Sequence, residues 1–285
     1  MQEPIFEEYG VEAADFWREN NALPEYYKET QGVRVNPDTI YLNNFINNAQ
    51  PGGKFEGLNN EKLHSYGSKM HFYKGVPEIF SKTKKMVEED PKYSEYNIKV
   101  EHYIVSTGMA EIIRGSSIMK DVEFVWGCEL IEKEENGKKV IAEVGYTIDN
   151  TSKTRAIFEI NKGVPKHPEI DVNAKMTAEM RRVSFKNMIY IADGPSDIPA
   201  FALVNKFGGS TFAIYPTGNK RAFDQVEELR RDGRINMYAE ADYSEGTTAY
   251  MWISSRIMEL AETIKKSEEE KLTAALGSVP KHLTD

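Results

Sequence analysis

One cysteine in 285 residues excludes an internal disulfide, and Cys128 fits a chain kept in a reducing compartment. No apolar run approaches the ~20 residues that a membrane-spanning helix needs. The opening Met1-Gln2-Glu3-Pro4 lacks the basic and apolar regions of a secretory signal. Positive charge is short as well: 36 Lys and Arg against 45 Asp and Glu leave a formal net charge of −9. That balance argues against nucleic acid or an anionic membrane as a main partner, and any phosphate site must gather its cations locally. No internal repeat or low-complexity run is present. The expectation is a cytoplasmic protein. At 40% hydrophobic and 28% charged residues, the chain can bury one large core or two smaller ones.

What the chain does contain is organised around Met188-Ile-Tyr-Ile-Ala-Asp193-Gly194-Pro-Ser-Asp197-Ile-Pro-Ala-Phe201. The opening apolar run predicts a strand buried on both faces, as in a parallel sheet. Asp193-Gly194-Pro195 breaks it, and Ser196 or Asp197 can cap a helix running to about Val204. Two acids four positions apart then share a loop at the carboxyl end of a strand. Open α/β sheets bind ligands there, and both carboxylates can serve one hard cation. The competing interpretation is a turn Asp and a cap with no metal.

Residues 1–75 read as helical, with helices over Ala13–Glu29, Asp38–Asn48 (Asp38 a possible cap) and Asn59–Ser68. From Pro77 the pattern alternates. Helices are predicted over Pro77–Glu89, Ala110–Met119, Ser152–Asn161, Arg221–Asp232 and Thr247–Lys265. Strands are predicted over Asn97–Val105, Val122–Trp126, Ser210–Tyr215 and Asn236–Ala239. Residues 128–150 alternate around Glu135-Asn136-Gly137-Lys138, a hairpin expected to lie outside the main sheet. Lys162–Phe185 is a polar connection, and residues 266–285 are expected to fray. Together these predict a doubly wound α/β domain over residues 76–265 with a helical layer, residues 1–75, upon it.

Two further places carry residues suited to phosphoryl chemistry. Val105-Ser106-Thr107-Gly108 offers hydroxyls and backbone N–H groups ahead of a helix start, either to bind phosphate or to cap the helix. Lys153 stands near a helix N-terminus, where the dipole disfavours a cation. Its position makes sense if it pairs with Asp193 or a bound phosphate, whereas Lys162 and Lys166 read as solvated surface groups. Asp242, late in a Tyr-Ser-Glu-Gly loop, is a weaker catalytic candidate.

In order, Ile104-Val-Ser106-Thr-Gly108, Lys153 and Ala192-Asp-Gly-Pro-Ser-Asp197 resemble motifs two, three and four of the haloacid dehalogenase-like (HAD) hydrolases. The branch most resembled is that of phosphoserine phosphatase, over roughly residues 70–250, with Gly-Gly-Ser-Thr-Phe-Ala-Ile-Tyr at 208–215 also typical. The resemblance implies that Ser106 or Thr107 bonds a transferring phosphoryl group and that Lys153 holds the phosphate and the nucleophile. It implies that Asp193 ligates Mg²⁺ with Asp197 in support, that Gly108 and Gly194 face the ligand, and that the helical residues 1–75 form a cap. In that cap Arg34, Lys69, His71 and Lys74 are candidates to meet a small phosphorylated substrate.

One motif is not matched. The family's nucleophile-bearing Asp-x-Asp, on a central first strand, should precede the cap, and Asn43-Asn44 is a poor substitute. The expectation is that Met1 lies just downstream of that motif. The strands carrying Ser106 and Asp193 would then flank a gap of one strand, ~4.8 Å on each side. Such a chain would be inactive and weakened as it stands, and a Mg²⁺-dependent phosphatase when complete. The alternatives are a non-catalytic phosphate-binding or regulatory protein of the same fold and, further off, a response-regulator-like receiver.

Overall fold

The computed structural model describes residues 1–135 and 137–277. Four helices come first: α1 (Glu3–Tyr9), α2 (Ala13–Gln31), α3 (Ile40–Ala49) and α4 (Asn60–Tyr66). The helix α1 has no counterpart among the expected elements, because seven residues present too few turns for a periodic signal. Asp38 does not cap α3, whereas Asn59 caps α4 by accepting the Lys62 N–H at 2.8 Å. Then come α5 (Glu78–Glu88), α6 (Pro91–Ser94), β1 (Tyr103–Met109), α7 (Ala110–Arg114), β2 (Phe124–Glu135), β3 (Lys138–Tyr146) and α8 (Ser152–Lys162). The remainder is β4 (Ile189–Ala192), α9 (Ile198–Lys206), β5 (Ser210–Tyr215), α10 (Lys220–Arg231), β6 (Met237–Glu240) and α11 (Thr248–Gly277).

The architecture is mixed α/β, but the strands form two three-stranded sheets, β1-β2-β3 and β4-β5-β6, instead of one. In the first, β2 pairs parallel with β1 at Tyr103↔Phe124 to Val105↔Trp126 and antiparallel with β3 beyond Glu129. The hairpin is thus a continuation of β2 and not an excursion outside the sheet; its turn residue Asn136 lies outside the described residues. In the second sheet both pairings are parallel. The strand β5, paired on both sides, is buried from Ser210 through Ile214. By contrast β4 is only half-buried and Ile191 is 37% exposed, which corrects the expectation of a strand enclosed on both faces.

The helical front segment is joined to the first sheet by one core. Phe6, Phe16, Phe45 and Phe55 stack within it, with centroids 4.6 Å apart for Phe16–Phe45, and the same cluster contains Met109, Trp126, Cys128 and Ile141. Helices cover both faces of the second sheet. Val87 of α5 and the buried Ala249, Ile253, Ile257 and Ala261 of α11 meet Phe212 and Ile214 on one face; Phe201 of α9 and Val226 of α10 meet Ala213 on the other. That four-residue spacing makes a single apolar stripe on α11. The same helix runs on through residues 266–277, where Lys265–Glu269 (2.9 Å) and Lys271–Glu268 (2.6 Å) pair along its surface, so the expected fraying does not begin at 266. Residues 278–285 lie outside the described residues.

Candidate functional site

The strand β4 ends at Ala192 and delivers Asp193 to solvent, while a short 3-10 turn, Pro195–Asp197, folds Asp197 back into the interior. Asp197 makes no capping bond. Its carboxylate is consumed by three side chains: Lys153 Nζ at 2.8 Å and the Tyr190 hydroxyl at 2.6 Å on Oδ1, and Ser196 Oγ at 3.2 Å on Oδ2. Lys153 also donates to Ser196 Oγ at 3.1 Å. The pair is almost dry, with side chains 6% and 5% exposed. A buried charge is tolerated only with a partner, so the Lys153 ammonium is held at the helix N-terminus by Asp197, and not by Asp193 as the sequence suggested. Two of its three N–H groups are spent there; the third is left for another acceptor.

Tyr190 is a site residue that sequence inspection passed over. The available signal was a phenol in an otherwise apolar strand two residues from its tip, since a buried hydroxyl needs an acceptor. Burial, followed by the charge and hydrogen bond of Asp197, holds the Tyr190 phenol far above its ordinary range.

At β1 the expected order of strand, loop and helix is shifted. The strand begins at Tyr103, not Asn97, because Asn97 adopts a positive φ of 54° in the turn after α6. It then runs through Ser106-Thr107-Gly108 to Met109, and neither hydroxyl caps α7. Ser106 Oγ accepts the Gly108 N–H at 3.0 Å, which leaves its own proton free to donate. The Thr107 carbonyl takes the Tyr41 hydroxyl at 2.7 Å and the Cys128 thiol at 3.3 Å. Cys128 Sγ in turn accepts the Ile148 N–H at 3.4 Å, five residues ahead of Lys153. Gly108 has the Met1 sulfur where its Cβ would stand, whereas a Cβ on Gly194 would meet nothing within 4 Å and its φ of −157° is open to any residue.

The charge of Asp193 is felt by two phenols. Tyr73, from the stretch after the helical segment, and Tyr243, from the loop after β6, are both raised above the ordinary tyrosine range, first by burial and then by nearby charge that includes Asp193. The two loops are clamped: the Tyr243 N–H donates to the Lys74 carbonyl at 2.7 Å. Gly75 has a φ of 78°, and a Cβ there would run into the Tyr243 backbone. Lys74 is therefore the cap candidate near this tip, and its charge lowers the Asp242 pKa behind the hydrogen bonds from Ser244. Asn43 and Asn44 lie on α3, with Asn44 accepting from Asn48, so they form no strand tip. Lys162 is buried and donates to the Val172 and Ala174 carbonyls, which corrects its expected place on the surface; Lys166 pairs with Glu123.

As a metal site the arrangement is incomplete. Mg²⁺ takes one or two carboxylates together with waters and phosphate oxygens. Here both Asp197 oxygens are occupied, so of this pair Asp193 alone is open, and among the described residues no group of three or more His, Cys, Asp or Glu converges.

No family model matches the sequence. It is 35% identical over 271 residues to an uncharacterized protein of Borreliella burgdorferi, spanning 90% of this chain and 91% of that protein. The chain belongs to that protein's family. At such coverage the relationship takes in the helical front segment and both sheets together. Among the described residues no helix is long and apolar enough to cross a membrane.

Proposed function

We propose that the carboxyl ends of β1 and β4 form a phosphate-binding site of the kind found in HAD-like hydrolases, and that the site serves the hydrolysis of a small phosphate ester. The observation that carries this reading is the buried Lys153–Asp197 pair at 2.8 Å, which brings an ammonium with a spare N–H to the tip where Asp193 stands open. Ser106 and Thr107 supply hydroxyl donors for phosphoryl oxygens, and Lys153 adds charge in a site shielded from water. Asp193 is this chain's carboxylate for Mg²⁺ in that scheme. Hydrolysis also requires an oxygen nucleophile to form a bond to phosphorus as the ester oxygen departs. None of Ser106, Thr107, Lys153 and Asp193 takes that part in this scheme. A non-catalytic phosphate-binding protein of the same fold is the second reading, favoured by that same shortfall.

Calorimetric titration with inorganic phosphate in the presence of Mg²⁺ tests the site: binding is expected, weakened by Thr107→Val and by Asp193→Ala. Absence of binding, or equal binding by both variants, refutes it. A panel of small phosphate esters offered to the Borreliella burgdorferi relative separates enzyme from binder.

A further inference from the structure

We propose that Tyr41 of α3 and Cys128 of β2 are positioning residues of the phosphate site: resting on that reading, they fix the bulge that presents Ser106 and Thr107 and tie it to the segment that presents Lys153.

The bulge shows in the strand register. From Val105↔Trp126 to Met109↔Cys128, β1 advances by four residues (105 to 109) while β2 advances by two (126 to 128). Ser106, Thr107 and Gly108 thus stand out of step with the ladder, at the carboxyl end of the strand. Bulges re-aim side chains beside functional sites, and they leave backbone groups that need partners from elsewhere. The Gly108 N–H finds one inside the bulge, at Ser106 Oγ (3.0 Å). The Thr107 carbonyl does not. Its two lone pairs take the Tyr41 hydroxyl at 2.7 Å and the Cys128 thiol at 3.3 Å.

Both donors are held in place. Tyr41 is buried with its ring against Trp17 and Phe45, at centroid distances of 5.9 and 6.2 Å, and Cys128 is buried in the same core. Burial first, and then the neighbouring thiol, raises the Tyr41 phenol above its ordinary range, so it remains a donor. Buried polar groups keep the partner that packing gives them. The helical layer therefore reaches the β1 tip through a backbone carbonyl.

The sulfur has a second contact. It accepts the Ile148 N–H at 3.4 Å, and the Ile148 carbonyl, at 4.0 Å, is the poorer target for the single thiol proton. Ile148 leads straight into α8. Asp149 Oδ1 accepts the Thr151 and Ser152 N–H groups at 2.9 and 2.7 Å, and the Asp149 carbonyl accepts the Lys153 N–H at 3.1 Å. Three pieces far apart in the chain, α3, the β1 bulge and the start of α8, meet at one carbonyl and one sulfur. A thiol suits the junction because it donates and accepts at once. Tyr41 and Cys128 act on the ligand only through Ser106, Thr107 and Lys153.

Tyr41→Phe keeps the ring and deletes the hydroxyl, and Cys128→Ala deletes both sulfur contacts. Ile141→Val, a mild truncation at a buried position of the same core, is the control for lost stability alone. Each protein is titrated calorimetrically with inorganic phosphate in the presence of Mg²⁺ and melted in parallel. Tyr41→Phe and Cys128→Ala are each expected to weaken phosphate binding about five- to tenfold, the scale of one lost hydrogen bond. Ile141→Val is expected to lower the melting temperature and leave the affinity alone. A parent that binds no phosphate refutes the phosphate reading, and this role with it. Where the parent binds, affinity retained in either variant, or lost equally in Ile141→Val, overturns the positioning role and leaves the phosphate reading standing.

Discussion

The Lys153–Asp197 pair offers a direct measurement of what holds the two sheets together. Replacing lysine by methionine keeps the unbranched stem and removes the charge, so Asp197 is left without its counter-charge in a site 5% exposed. Breaking one side of a buried pair costs ~3–5 kcal/mol, far above the ~0–1 kcal/mol of a solvated ion pair. Asp197 keeps the Tyr190 hydroxyl at 2.6 Å and Ser196 at 3.2 Å, which moves Lys153→Met to the lower end, ~3 kcal/mol. Asp197→Asn strands the ammonium instead and costs a similar amount. The double variant removes both charges while Asn still accepts from Tyr190, and its cost falls to ~1–2 kcal/mol. Urea unfolding of the four proteins, with the dependence on denaturant checked for constancy, closes the cycle. Single losses below ~1 kcal/mol, or losses that simply add, would mean that the pair is solvated and couples nothing.

Two other predictions rest on separate parts of the fold. Burial, reinforced by the Lys84 charge, pushes His102 down to about 4, so its protonation is favoured in the unfolded chain. Its stabilising contribution is complete above pH ~6.5 and is lost as pH falls towards 4, by ~2 kcal/mol at pH 5; unfolding measured from pH 7 to 5 on the parent and His102→Gln should show a shallower slope in the variant. Gly115 lets α7 touch α4, where an added Cβ would collide with the His64 carbonyl. Gly115→Ala should therefore cost ~1–3 kcal/mol through a forced backbone shift, and a melting temperature equal to that of the parent would show that the contact yields freely.

Much of the local structure was determined by sequence alone. The strand at Ser210–Tyr215, the turn at Asp193-Gly194 and the helices over residues 13–31, 78–88 and 152–162 follow from periodicity, capping residues and turn chemistry. These are interactions between near neighbours in the chain. Boundaries failed where distant contacts decided them: beyond Lys265 α11 is met by the Tyr96 hydroxyl, which donates to Glu269 at 3.1 Å, and β2 lengthens because β3 folds back on it. The candidate site divides in the same way. The four positions Ser106, Thr107, Lys153 and Asp193 were visible as residue types at plausible element ends. Which acid meets Lys153, and the presence of Tyr190, Tyr73 and Tyr243 beside the two aspartates, were not. Those pairings depend on desolvation, which forces each buried charge or hydroxyl onto whatever partner the packing brings within reach. The division of the strands into two sheets was likewise settled only in three dimensions, because hydrogen-bonding partners of a strand are far away in sequence and its own residues do not specify them.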